Sequence, residues 1–142
     1  MAKDFKTLVR IRKWTLDEKQ RELGDMLRVL EQLIEQREEL GRALIAEQKV
    51  AAENPHTAGF AYGNFANAVI AERAALVEQI AAQEAKIDSF RDVVAQAFKD
   101  MKTAEISERN RVATVRAEED RKEQENLDEI GSRAATRKDS LM

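Results

Sequence analysis

Apolar residues recur at heptad spacing along two stretches of the chain, as in the seam of a coiled coil. In the first stretch one heptad position holds Val9, Leu16, Leu23, Leu30 and Leu44, with Arg37 as the exception, and the partner position holds Met26, Leu33 and Leu40. In the second stretch the alternating spacing of four and three selects Ala66, Val69, Leu76, Ile80, Ile87, Phe90, Val94, Ala97 and Met101, interrupted by Arg73 and Gln83. Each stretch therefore predicts a helix with one narrow apolar stripe.

A single cluster of helix breakers separates the two stretches. Pro55 removes a backbone donor and disfavours helix at the preceding residue, and Gly59 and Gly63 follow it. We therefore predict helix one over about 5–53, a turn over about 54–63, helix two over about 64–130 and a basic C-terminal tail over 131–142. Because 64–130 lacks Gly and Pro, helix two would span about 100 Å if it were continuous.

Each apolar stripe needs a partner, because a lone helix of this composition would leave the stripe in water. The prediction is therefore an all-α fold: one long antiparallel two-helix coiled-coil hairpin with a longer second helix, monomeric when isolated. A parallel homodimer of a bent helix is the alternative.

The seam pattern weakens after Ala104. The segment from Glu105 to Asn126 contains twelve charged residues. Pairs at i,i+4, such as Glu105 with Arg109, hold such a helix by only about 0.2–0.5 kcal/mol each. We expect this segment to fray when it is unbound.

Composition narrows the functional class. The net charge of −3 is spread along the chain and provides no general basic field for nucleic acid. There is no cysteine, which fits a reducing compartment. The basic N-terminus lacks the apolar core of a signal peptide, and no apolar run approaches the roughly 20 residues that span a bilayer. We therefore expect a cytoplasmic protein without a transmembrane segment.

Catalytic signals are also missing. His56 is the one histidine and falls in the predicted turn, so histidine-rich metal sites and a catalytic triad have no supporting residues. The five glycines do not form a phosphate-binding loop. The sequence predicts no enzyme activity, no catalytic or metal-binding residue and no cofactor.

Three segments carry features typical of binding. The N-terminus interleaves the basic residues of 3–13 with Phe5, Leu8, Val9 and Trp14, which indicates a membrane-surface or partner-helix face, or Trp14 as a seam or flanking residue. The predicted turn concentrates Phe60, Tyr62 and Phe65, which either cap the hairpin tip or dock a partner. The ending places Arg133 and Arg137 one helical turn apart, in what is otherwise a solubilising tail.

This ending is the most specific part of a resemblance to a known family. Residues 128–138, Asp-Glu-Ile-Gly-Ser-Arg-Ala-Ala-Thr-Arg-Lys, are similar to the acidic-hydrophobic stretch followed by Arg-Ala-Ala-x-Arg-Lys in FliJ, the coiled-coil component of the flagellar type III export apparatus. Residues 23–26, Leu-Gly-Asp-Met, with Tyr62 and Phe65, add weaker support. The resemblance covers the whole chain.

The resemblance implies a fold similar to the central stalk of rotary ATPases and a non-enzymatic role in flagellum assembly. Family members bind the export ATPase hexamer, with their helix termini directed toward its pore, and the FlhA export gate, and they assist export chaperones. This implies cytoplasmic localisation with peripheral association at the inner membrane. The implied ATPase contacts are Arg133, Ala134, Arg137 and Lys138. The implied gate contacts are Leu40, Tyr62, Phe65 and Val69.

The chain departs from some family members at the end of helix one, where they place aromatic residues and it has Ala43 and Glu47. Two other functions remain open at this point. One is the equivalent stalk protein of a virulence injectisome, and the other is a scaffold coiled coil that self-assembles.

Overall fold

The computed structural model describes residues 5–141, apart from the side chain of Ala58. Two helices account for nearly all of them: α1 is Lys6–Glu53 and α2 is Pro55–Ser140. The described residues form no strand. The predicted fold class, an all-α antiparallel hairpin with a longer second helix, is confirmed.

The change of direction occupies less of the chain than the sequence predicted. Only Asn54 separates α1 from α2, and 55–63 is helical where a turn was expected. Proline suits the first position of a helix because its missing N–H would have no helical acceptor there. The N–H of Asn54 still donates to Val50 O at 3.1 Å, and Thr57 N–H already donates to Asn54 O at 3.3 Å. Pro55 therefore begins a helix at once, and Gly59 and Gly63 lie inside it.

The described residues fall into two compact units. One consists of residues 15–97, and the other of residues 5–14 together with 98–141. Both helices contribute to both units.

Residues 15–97, which we call the hairpin unit, pack the two helices antiparallel through the predicted seam. The side chain of Lys19 lies over the ring of Phe90, with Nζ 5.9 Å from the ring centre. The backbone of Met26 meets Gln83, so rising numbers in α1 match falling numbers in α2. The buried side chains of this unit are all seam positions: Leu16, Val69, Leu76, Ile80, Ile87 and Ala97.

The polar residues that interrupt the seam are accommodated individually. Gln83 is half-buried, and its Nε2 donates to Met26 O across the seam at 3.0 Å. The guanidinium of Arg73 lies against Gly41, where an added Cβ would lie 3.7 Å from Cζ. A polar residue that finds a partner only in one alignment favours a single register of the two helices.

Residues 5–14 and 98–141, which we call the terminal unit, also pair the helices antiparallel. Met101 and Ala104 are buried, and the backbone N–H of Phe5 donates to Glu108 Oε2 at 2.9 Å. Beyond Arg111 every described residue of α2 is exposed.

The helix nevertheless continues to Ser140, past the predicted boundary of a basic tail at 131. The predicted pair of Glu105 with Arg109 is replaced by pairs of Glu105 with Lys102 and with Lys13. Within residues 5–141, neither helix contains an apolar window that could cross a membrane.

Candidate interaction surfaces

Three surfaces gather the candidate binding residues. We call them the tip patch (Phe60, Tyr62 and Phe65), the C-terminal segment (residues 112–141) and the N-terminal face (Leu8, Ile11 and Trp14). The tip patch lies in the hairpin unit, and the other two lie in the terminal unit. The described residues contain no group of three or more His, Asp or Glu that could hold a metal ion. His56 is exposed in the first turn of α2.

The tip patch divides into an exposed aromatic and two partly covered ones. Phe60 is 87% exposed, whereas Tyr62 and Phe65 are half-buried. Tyr62 stands one heptad before the buried Val69 and so belongs to the seam side, while Phe60 lies two residues off that position. Tyr62 and Phe65 therefore cover the end of the seam, whereas Phe60 projects outward and is accessible to a partner.

Phe60 was not among the gate-contact residues that the resemblance implied. The heptad register predicts the outward orientation of Phe60, because a residue two positions before a seam residue points away from the partner helix. Counting back from Val69 through Tyr62 would have marked Phe60 as outward-facing. The prediction of a turn over 54–63 concealed this, since a register cannot be extended through a turn.

The other implied gate residues occupy different depths in the hairpin unit. Leu40 is half-buried and lines a groove of about 510 Å³ between α1 and α2. Leu76, on the same groove, is buried, and Val69, one heptad before Leu76, is only 4% exposed. Val69 is therefore a core residue whose side chain does not reach the surface, while Leu40 offers part of its side chain to a partner. The groove is lined by Gln36, Glu39, Leu40, Ala43, Glu72, Ala75, Leu76 and Gln79.

The C-terminal segment presents both charge and apolar area. Leu127 and Ile130 are 56% and 64% exposed. Ile130 follows Leu127 by three residues, and Ala134 and Leu141 repeat the heptad position of Leu127. This spacing forms one apolar stripe on a helix that has no covering element among the described residues. An exposed stripe of this kind is typical of a helix that binds a partner.

The implied ATPase-contact residues lie at the end of that stripe and are all exposed. Arg133 and Arg137 line one shallow depression together with Thr136. Arg133 Nη2 lies 2.9 Å from Glu129 Oε1. Arg137 and Lys138 occupy the last turn of α2, where cations are favoured by the partial negative charge of the helix C-terminus. The structure thus brings both arginines to one face, as the sequence predicted from their spacing.

A carboxylate from α2 caps the beginning of α1. Glu108 accepts hydrogen bonds from the backbone N–H of Phe5 at 2.9 Å and from the side chain of Arg111 at 2.7 and 3.0 Å. The hydrogen bonds from Arg111 lower the pKa of the Glu108 carboxyl to about 2, with burial acting in the opposite direction and the Phe5 N–H adding to the lowering. The ionised carboxylate therefore fixes where α1 begins against α2.

A second acid nearby joins the helices less tightly. Glu105 pairs with Lys102 of its own helix and with Lys13 of α1, at 3.3 and 3.5 Å. The hydrogen bond from Lys102 is the largest cause that lowers the pKa of the Glu105 carboxyl.

Trp14 is 65% exposed, so its interpretation as a seam residue is wrong.

The family model described as flagellar FliJ protein matches residues 1–140. Searches of curated proteins and of solved structures found no match.

Proposed function

The chain belongs to the FliJ family and is a component of the flagellar export apparatus. We propose that, within this apparatus, the chain binds the export ATPase hexamer and the FlhA export gate. The observation that carries the proposal is the C-terminal segment, which is helical to Ser140 yet exposed at every described residue. A stripe of exposed apolar residues beside paired arginines supports a protein partner. The role is non-catalytic: the chain alters ATP turnover by binding the ring.

The ATPase contact is assigned to the C-terminal segment. Leu127 and Ile130 supply apolar area, and Arg133 and Arg137 supply guanidinium groups that can pair with carboxylates in two hydrogen bonds each. Ala134 lies between them and allows close approach, and Lys138 adds charge at the helix end. Arg133 must leave Glu129 to bind a partner carboxylate, and this exchange costs little because the existing pair is exposed.

The gate contact is assigned to the tip patch together with Leu40. Phe60 is the anchor, because a phenylalanine that is 87% exposed gains the most from being covered. Tyr62 and Phe65 extend the apolar area around it. Val69 supports the patch from the core and makes no contact of its own with the gate. Through the gate contact the chain associates peripherally with the inner membrane, and assistance to export chaperones is proposed from family membership alone.

The ATPase contact is tested by mixing the chain with the export ATPase and measuring ring assembly and ATP turnover over a concentration series. The Arg133→Ala, Arg137→Ala double variant should lose the effect. Arg91→Ala is the matched control, since the Arg91 side chain is 61% exposed on the same helix. Unchanged turnover with the unaltered chain would refute the ATPase assignment.

The gate contact is tested by titrating the FlhA cytoplasmic domain. Phe60→Ser should weaken binding, whereas Phe98→Ser, at another exposed phenylalanine of α2, should not. Truncating a central aromatic anchor costs about 2 kcal/mol or more, which is roughly a thirtyfold loss of affinity. Val69→Ala should weaken binding only to the extent that it unfolds the hairpin unit, as circular dichroism would show. Equal binding by the two serine variants would contradict the tip assignment.

A further inference from the structure

The beginning of α1 carries an exposed apolar stripe that the proposed function does not use. Leu8, Ile11 and Trp14 are 37%, 53% and 65% exposed. They are spaced by three, so they lie on one side of the helix. Val9, on nearly the opposite side, is half-buried. The N-terminal face is therefore a second apolar side, directed away from the seam.

Cations border this stripe on both sides. At about 100° per residue, Arg10 and Arg12 project to either side of Ile11, with Arg10 exposed and Arg12 half-buried on the side nearer the seam. Residues 5–14 contain four basic residues and no acid, and Glu18, an acid on the same side of the following turn, pairs with Arg21 at 2.8 Å. The N-terminal face thus combines a narrow apolar strip, which ends in a tryptophan, with guanidinium groups at its edges.

The acids that α2 packs against this part of α1 already have partners. Glu105 pairs with Lys13 and Lys102, and Glu108 is held by Arg111 and the Phe5 N–H. They meet α1 from the seam side. The N-terminal face therefore keeps a positive border for a partner that approaches from solvent.

We propose that residues 6–14 of α1 form a docking site for an anionic lipid surface. A helix that lies in the headgroup region buries its apolar side by a few ångströms and places its arginines beside the phosphates. Tryptophan suits this depth because its ring is apolar and its N–H needs a polar partner. Three apolar side chains give weak and reversible attachment. An acidic protein surface matches the arginines, but it does not require a narrow strip with cations on both flanks.

Trp14 is the one tryptophan in the chain, so its fluorescence reports on this site alone. The full chain is titrated with vesicles of phosphatidylcholine containing phosphatidylglycerol, and with vesicles of phosphatidylcholine alone. We expect a blue shift and protection from acrylamide quenching with the anionic vesicles only. Raising the salt concentration should reverse both, because the arginines contribute through screened electrostatics.

Vesicle co-sedimentation with variants locates the contact. Ile11→Ser should weaken partition at least about tenfold, and each of Arg10→Gln and Arg12→Gln about fivefold. Ile45→Ser is the matched control, because Ile45 is 67% exposed elsewhere on α1. The Arg133→Gln, Arg137→Gln variant tests whether the basic C-terminus carries the binding instead. Both controls should partition as the unaltered chain does.

Three results would overturn the proposal. The first is an unshifted Trp14 spectrum with anionic vesicles at low salt. The second is partition that falls for the C-terminal variant and not for Ile11→Ser. The third is a Trp14 shift on adding the export ATPase with none on adding vesicles, which would assign the N-terminal face to a protein. Circular dichroism of each variant shows whether its helices are retained.

Discussion

Replacing Ile87 by alanine tests whether the hairpin unit is held by its narrow seam. Ile87 is 3% exposed and lies at a seam position of α2. The substitution removes three carbon atoms, worth about 2.4 kcal/mol at roughly 0.8 kcal/mol for each buried CH₂ group. Alanine recovers up to about 0.5 kcal/mol through its higher helix propensity.

A cavity penalty should add little to this value. Ile87 borders a shallow groove of about 200 Å³ together with Leu27, Leu30 and Arg91. Because a two-helix seam is open to water along its sides, the space left by the side chain is filled or closed by small shifts. The expected loss in the free energy of unfolding is therefore about 2 kcal/mol, at the low end for a buried isoleucine.

The assay is urea unfolding followed by circular dichroism at 222 nm. Ile70→Ala is the matched control, because Ile70 is 59% exposed on the same helix and its loss should cost about 0.5 kcal/mol or less. The dependence of free energy on urea should be the same in both variants, since neither changes the surface that unfolding exposes. Equal destabilisation by the two substitutions would refute the reasoning, because it would mean that the seam positions are not the stabilising ones.

Further predictions concern particular contacts. Gly63→Ala should raise the free energy of unfolding by about 0.5–1 kcal/mol in urea titrations, because Gly63 is helical and its added Cβ meets no atom within 4 Å; a loss of stability would mean that 55–63 is not helical. Ionised Glu108 stabilises the fold above the unfolded pKa of about 4.5, and this contribution should fall away between pH 4.5 and about 2. Glu108→Gln should remove that part of the acid dependence of thermal stability, and an unchanged pH profile would exclude the capping role. Gln83→Leu should raise the unfolding midpoint while permitting other helix registers, detectable by disulfide trapping between introduced cysteines. Arg121 pairs with Glu118 and Glu125. Arg121→Gln should therefore lower the helicity measured by circular dichroism at 222 nm, and high salt should abolish the difference between variant and parent.

The sequence by itself determined the fold class. Its heptad pattern identified the residues that the structure buries, among them Leu76, Ile80 and Met101, with the exception of Ala104. A period of seven reports directly which side of a helix avoids water, so no tertiary information is needed to find the seam. The spacing of Arg133 and Arg137 likewise placed both on one face, because helical geometry is local.

Only the tertiary structure decided where the helices turn and which polar residues meet. Asn54-Pro55 is compatible both with a broad turn and with a new helix, because proline favours helix starts as well as breaks. The pairing of Gln83 with Met26, and the cap that Glu108 places on Phe5, join residues far apart in the chain. Such contacts depend on the alignment of the two helices, which a periodic pattern leaves free to slide by whole heptads. The same alignment leaves Trp14 and the C-terminal segment uncovered, and with them two of the surfaces on which the proposed contacts depend.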